Sequence, residues 1–429
     1  MNNHKSSFIL LEANSIKAEK MDGILLFVTL FSILFVPSIR IHSGLFLGIE
    51  ELLIVIMGLR LCLVRWYLID RFVLILMAMA SIILISIFAN PNCKDYREYL
   101  EIHKLAKIGV VYLFTIFFLR TNLRYHSLVK WINFCFLGLV LFNIFHLFNL
   151  FYFNEIITIL YDTDGRDVLS FGKNSLGGPG PKRIVGTMGN PNINGILFLF
   201  FFAFYSFLLI ELKNKESNWN LLTHTRLKIL FLTSILFVIL CQSRTDIGVL
   251  VVLYVLGVLW RKATALEVVF EISCTCLFFG LSAFLDTIAL QYLFNTKPQI
   301  HENNSFAARI KVWVSLIHQW MENPIFGYGP NKAYMYREKL YPENEYVFYL
   351  WRYGIQGVLL YLSLLLTPIF SFYKRISHFR FLSMIIIIIA SVAFMNNPMS
   401  NAKISMLVAF VFGLSLVILE NMDTQKNRT

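Results

Sequence analysis

Charge is scarce in this sequence. Only 15% of its 429 residues are Asp, Glu, Lys or Arg, against 57% that are hydrophobic. A soluble domain carries about 25% charged and 45–50% apolar residues, so an ordinary soluble fold is excluded. Cysteine is scarce too, limited to Cys62, Cys93, Cys135, Cys241, Cys274 and Cys276. None forms a CxxC pair or a Cys/His group with metal-ligand spacing, which excludes a disulfide framework and leaves no metal site to assign. No small-residue cleavage site follows the polar N-terminal lead, so the first apolar run reads as a spanning helix rather than a removed signal. Gly327-Tyr328-Gly329 resembles part of a nucleotide loop. No strand precedes it and no Gly-Lys-Ser/Thr closes it, so no nucleotide site is read there.

Phenylalanine is abundant, with 41 copies, and the apolar residues come in blocks. These lie at about 22–39, 44–63, 72–89, 105–119, 131–151, 192–211, 227–240, 246–260, 267–286, 346–372, 381–395 and 402–419. The expected fold is an all-α polytopic membrane protein of about twelve spans, a single integral domain over 1–429. The pair 227–240 and 246–260 is short enough to be re-entrant instead. The net charge of +12 would suggest a nucleic-acid partner in a soluble chain. Here Lys and Arg sort by side: with a cytoplasmic N-terminus every inner segment is basic, which predicts both termini inside. Two long outer segments remain, at 152–191 and 287–345.

Basic residues on the outer side break that bias and are the better functional candidates: Lys182, Arg183, Arg244, Arg309 and Lys311. In GPKRIVGTMGNPNING, residues 180–195, Asn190 is placed to cap a helix whose first residue is Pro191. That N-terminus, beside Lys182 and Arg183, suits an anion, though capped membrane helices are common in their own right. In QSRTD, residues 242–246, Arg244 either clamps phosphate oxygens or pairs with Asp246 or lipid headgroups. Phe306, Ile310, Trp313, Ile317 and Met321 recur at helical spacing. They predict an amphipathic helix at the outer interface, carrying Arg309 and ending before Pro324. Pro324 to Pro330 then reads as a tight turn leading back toward ENEYVFYLWRYG, residues 343–354. There Glu345 and Arg352 share a helix face, and Glu343 precedes the helix. Within the spans, Asn143 and His146 are read as interhelical hydrogen-bonding groups, and Glu271 is polar without assignment.

Basic groups on the outer rim above apolar bulk suit a lipid-linked diphosphate, with an outer-face hydroxyl as acceptor. At this point the sequence resembles the O-antigen polymerase and O-antigen ligase superfamily of bacterial envelope proteins. GTMGNPN at 186–192, QSRTDIG at 242–248, and the run from SFAARIKVW through NPIFGYG to ENEYVFYLWRYGIQG carry the resemblance, over about residues 180–360. The resemblance implies a multi-pass enzyme of the bacterial inner membrane whose active face is periplasmic. It implies undecaprenyl-diphosphate-linked oligosaccharides as donor and acceptor, membrane lipids around them, and neither cofactor, metal nor nucleic acid. A chain-length regulator is a further partner class compatible with it. By the same resemblance Arg244 and Arg309 engage the diphosphate, with Arg183 matching the basic residue before the GTMGNPN stretch. Lys182, Asn190, Asn192, Asn344, Tyr346 and Arg352 are the accompanying substrate-binding candidates. Ligase members carry histidine just before the Asn that matches Asn344, and here that position is Glu343. This departure favours a polymerase, with Glu343 orienting or deprotonating the acceptor. The alternatives are a ligase, a protein-glycosylating enzyme, or a lipid-linked oligosaccharide flippase. A transporter would be expected to show repeated halves, and none is visible.

Overall fold

The computed structural model describes residues 21–42, 45–64, 68–90, 93, 95–122, 125–161, 183–212, 222–294, 305–338, 342–372 and 376–426. Every apolar block forms a helix. In chain order these are α1 (Met21–Phe35), α2 (Ile49–Leu63), α3 (Arg71–Ala89), α4 (Leu100–Asn122) and α5 (Tyr125–Phe148). After a short α6 (Phe153–Tyr161) come α7 (Pro191–Leu212), α8 (His224–Leu240), α9 (Arg244–Arg261) and α10 (Ala265–Phe294). The segment after α10 holds α11 (Ser305–Glu322) and α12 (Lys332–Glu338), followed by α13 (Glu345–Phe372), α14 (Ile376–Val392) and α15 (Ala402–Lys426). One small exception interrupts the all-α pattern. β1 (Ile39–His42) pairs antiparallel with β2 (Leu45–Leu47). The block read as 44–63 is therefore part strand. Ile39 and Ile41 alternate with polar residues, a period that suits a ribbon better than a helix.

Helices α3, α4, α5, α7 and α10 are long and apolar enough to cross a membrane. Among the described residues, these five meet the length and composition needed to span, and Met21–Phe35, Arg380–Val392 and Ala402–Val417 are shorter apolar helices. Large apolar side chains such as Leu52, Met77, Leu259 and Leu277 remain exposed on helix faces. Contiguous exposed apolar surface of this kind belongs against lipid.

The core is built around α7. Its sequence is apolar on all sides, and nearly every residue from Pro191 to Glu211 is buried, as expected of a helix at the centre of a bundle. It packs on α8, α9 and α14, while α4 packs on α15 and α3 on α13. Phe198 stacks on Phe237 at 5.0 Å between ring centroids, joining α7 to α8. Glu271 finds its role here. It accepts two hydrogen bonds from Arg261, at 3.0 and 2.7 Å, and one from Tyr254. This buried pair ties α10 to α9, and removing either partner would strand a charge.

Two features of the segment between α10 and α13 position the site. First, α13 is broken at Gly354, whose φ of 65° and ψ of −164° are non-helical. The turn from Pro324 to Gly329 fills the break. Tyr328 N–H donates to the Trp351 carbonyl (2.9 Å), Gly329 N–H to that of Arg352 (2.7 Å), and Ile355 N–H to that of Pro324 (3.0 Å). The expected return toward residues 343–354 is made through these bonds. Second, α11 packs on α13 through Val312, Trp313, Leu316 and Ile317, beside Trp351. Ile310 and Met321, on the same apolar stripe, are exposed, as suits the lipid-facing part of an interfacial helix. Gln319 adds a polar tie to α13: its side-chain oxygen accepts from Trp351 Nε1 at 2.9 Å.

Candidate active site

The site begins at the start of α7. Asn190 Oδ1 accepts from the N–H groups of Asn192 (2.9 Å) and Ile193 (3.4 Å), and Pro191 is the first helical residue. The approach bends through Gly186 and Gly189, both left-handed at φ of 57° and 66°, where a side chain would be strained. α5 braces this approach. Asn143 Oδ1 accepts from Asn194 Nδ2 at 2.9 Å, and His146 Nε2 accepts from Val185 N–H at 3.3 Å. With Nε2 as acceptor, Nδ1 is the protonated nitrogen, and it donates to Asn154 Oδ1 at 2.7 Å. The interhelical reading of Asn143 and His146 therefore holds, and their bonds shape the loop below the basic residues.

Arg183 lies on that loop. Its Nε donates to the Cys241 carbonyl at 3.2 Å and its Nη2 to Asn192 Oδ1. Asn192 Nδ2 in turn donates to Asn396 Oδ1 at 3.0 Å, on the connection between α14 and α15. Burial lowers the pKa of Arg183. Cys241 and Asp246 oppose that shift, while the like charges of Arg244 and Arg309 act with it. The three arginines thus share one electrostatic neighbourhood although they are far apart in sequence. Arg244 is the first residue of α9, capped by Ser243, and is exposed. Among the described residues it makes no hydrogen bond or ion pair. Arg309 forms an ion pair with Glu343, and both side chains are accessible, at 29% and 49%.

Asp246 lies beneath this surface. It is 0% exposed, and neither carboxylate oxygen has a hydrogen-bond partner among the described residues. It does not pair with Arg244, one of the alternatives left open for that residue. Asn194 Oδ1 and Thr187 Oγ1 are buried and likewise unpartnered. The carboxylate is seated on the bare face of Gly195, where an added Cβ would come within 2.1 Å of Oδ2.

The remaining candidates fall into different surroundings. Asn344 is buried and caps α13, its Oδ1 accepting from Val347 N–H at 3.1 Å. The Tyr346 hydroxyl donates to the Ala390 carbonyl at 2.8 Å. Arg352 is buried against Glu101 of α4 (3.4 Å), with its guanidinium 3.7 Å from the Phe348 ring centroid. Glu101 also holds Lys104 at 2.9 Å and Lys332 at 3.0 Å. The expected shared face of Glu345 and Arg352 is not a pair. Glu345 instead accepts from Met399 N–H (2.9 Å), Ser400 (2.9 Å) and Tyr361 (3.2 Å). Its carboxylate needs donors, and the α14–α15 connection supplies them at the point where α13 begins. Lys182 lies outside the described residues.

Sequence reasoning missed the α14–α15 connection as part of the site. Asn396-Asn397-Pro398 reads as a helix end, and nothing local shows that Asn396 meets Asn192 across 204 residues. Asp246 was visible only as a partner for Arg244. Among the described residues, no group of three or more His, Cys, Asp and Glu side chains is placed to hold a metal ion.

Taken together, the geometry offers an exposed arginine that is partner-free among the described residues, a second held by amide and carbonyl oxygens, and a third paired to an accessible carboxylate. Such a constellation can bind a multiply charged anion through planar donor forks. Residues 229–362, which include Arg244, Arg309 and Glu343, match a family model described as O-antigen ligase. No curated protein matches the chain.

Proposed function

Because the chain belongs, through residues 229–362, to the O-antigen ligase and polymerase superfamily, we propose that it transfers a glycan from a polyprenyl diphosphate to an acceptor hydroxyl at the outer face of the bacterial inner membrane. The carrying observation is the shared field of Arg183, Arg244 and Arg309 beside the accessible carboxylate of Glu343. The arginines hold the donor diphosphate and offset the charge that grows on it as the sugar departs. Glu343, an accessible carboxylate beside Arg309, takes the acceptor's proton. The polyprenyl chains lie along the apolar helix faces.

For the acceptor, the description of the matching family favours a ligase, which would move a finished chain onto lipid A–core. A polymerase is the second reading, supported by Glu343 at the position where ligases carry histidine. Purified protein given two lipid-linked repeats, with and without lipid A–core, separates them. A ligase glycosylates lipid A–core and leaves repeats unextended, whereas a polymerase extends repeats without it. Arg244→Ala is expected to lower either product at least about 100-fold, the loss typical when a preorganised charge-stabilising donor is removed. Normal product from that variant would refute the diphosphate role of Arg244. Movement of lipid-linked glycan between leaflets without any transfer would favour a flippase.

A further inference from the structure

We propose that Glu343 is a displaceable occupant of the anion site. In the resting protein its carboxylate fills the place on Arg309 that the donor diphosphate takes, and donor docking is the event that frees it to act as a base. The inference rests on the reading of Arg309 as a diphosphate ligand.

The Arg309–Glu343 pair is built to exchange. Both side chains are substantially accessible, whereas the Arg261–Glu271 pair is 5% and 1% exposed and doubly bonded. An exposed ion pair contributes little to stability and is readily outcompeted. The backbone around Glu343 is nevertheless held. Pro342 and Asn344 are buried, and Asn344 is committed to capping α13. Exchange therefore requires only rotation of the Glu343 side chain. The guanidinium fork accepts a carboxylate or a phosphate in the same geometry. A diphosphate carries more charge than Glu343 and also meets Arg244, which is exposed and partner-free among the described residues, and Arg183.

While the ion pair holds, Oε2 sits on Arg309, so the carboxylate oxygens are kept on the guanidinium and away from the acceptor. Once the diphosphate replaces them, the carboxylate stands beside the donor with its lone pairs open. The acceptor oxygen then forms its bond to the anomeric carbon. The bond from that carbon to the diphosphate oxygen breaks, and its electron pair leaves with the diphosphate, held by the arginines. The acceptor's proton passes to Glu343. The base is thus available only when the donor is in place.

The test measures binding of farnesyl diphosphate, a probe with no sugar to transfer, to the purified full-length protein. Glu343→Gln removes the competing charge and is expected to bind the probe up to about fivefold tighter, the value of one exposed ion pair. Arg309→Ala is expected to bind it at least about tenfold weaker. In the double variant the gain from Glu343→Gln should vanish. Turnover with a lipid-linked glycan should fall about 100-fold in Glu343→Gln with a lowered KM, opposing changes that simple misfolding does not produce. If Glu343→Gln binds no tighter while Arg309→Ala still weakens binding, Glu343 is not a competitor and the proposal fails. Wild-type turnover by Glu343→Gln would overturn its role as base. If the wild-type protein shows no saturable binding of the probe, the diphosphate reading of Arg309 falls first and takes this inference with it.

Discussion

At Gly195 a single methyl group would meet a carboxylate. The first turn of α7 lies so close to Asp246 that only a residue without Cβ fits. Gly195→Ala is therefore expected to cost about 1–3 kcal/mol, the usual penalty of overpacking, seen as a lowered melting temperature in detergent. Adding Asp246→Ala should recover most of the loss, because it removes both the clash and a buried carboxylate without hydrogen-bond partners among the described residues. Independent, additive losses would show that the two residues do not meet. The sequence made part of this residue-scale picture legible. Charges standing against the membrane bias pointed to Arg183, Arg244 and Arg309, and the Asn190-Pro191 pair marked the helix start. It could not show Asp246 as buried, because burial is decided by what packs over a first turn. Nor could it link Asn192 to Asn396, since no periodicity connects two loops that meet only after the bundle closes.

At the scale of elements, the break in α13 joins pieces that a continuous helix would keep apart. Gly354 occupies backbone angles open essentially to glycine alone, and a Cβ there would sit 2.1 Å from the Ile325 carbonyl oxygen. Gly354→Ala is expected to destabilise by about 3 kcal/mol or more, combining backbone strain with the clash. Loss of folded yield, or protease cleavage between α11 and α12, would register it, and a variant as stable as the parent would contradict the interlock. Periodicity predicted α11 and its end before Pro324 correctly. Trp313 and Ile317 of its apolar stripe pack on α13, but periodicity could not name Trp351 and Gln319 as the residues that meet across that contact. Helix boundaries depend on local chemistry and can be read locally; helix rotation depends on a partner and cannot.

For the whole molecule, each apolar block of the sequence coincides with a helix, and five of these helices among the described residues are long and apolar enough to cross. Apolar runs arise both in spans and in a bundle core, and only length and charge content separate them. The distribution of Lys and Arg carries an expectation of sidedness. A reporter active only in the periplasm, inserted near residue 300, is expected to be active, and one near residue 217 inactive. The reverse pattern would invert the membrane orientation and turn the arginine site toward the cytoplasm. The floor under that site has a separate consequence. Asn396 and Ser400 hold Asn192 and Glu345 from a connection that lies beyond residues 229–362. A chimera that replaces only residues 229–362 with a relative's segment would exchange the positions of Arg244, Arg309 and Glu343 but keep Arg183, Asn192 and Asn396 of this chain. Change in this protein is thus expected to travel in linked sets, with the α7 entrance, the shared segment and the α14–α15 connection altering together or not at all.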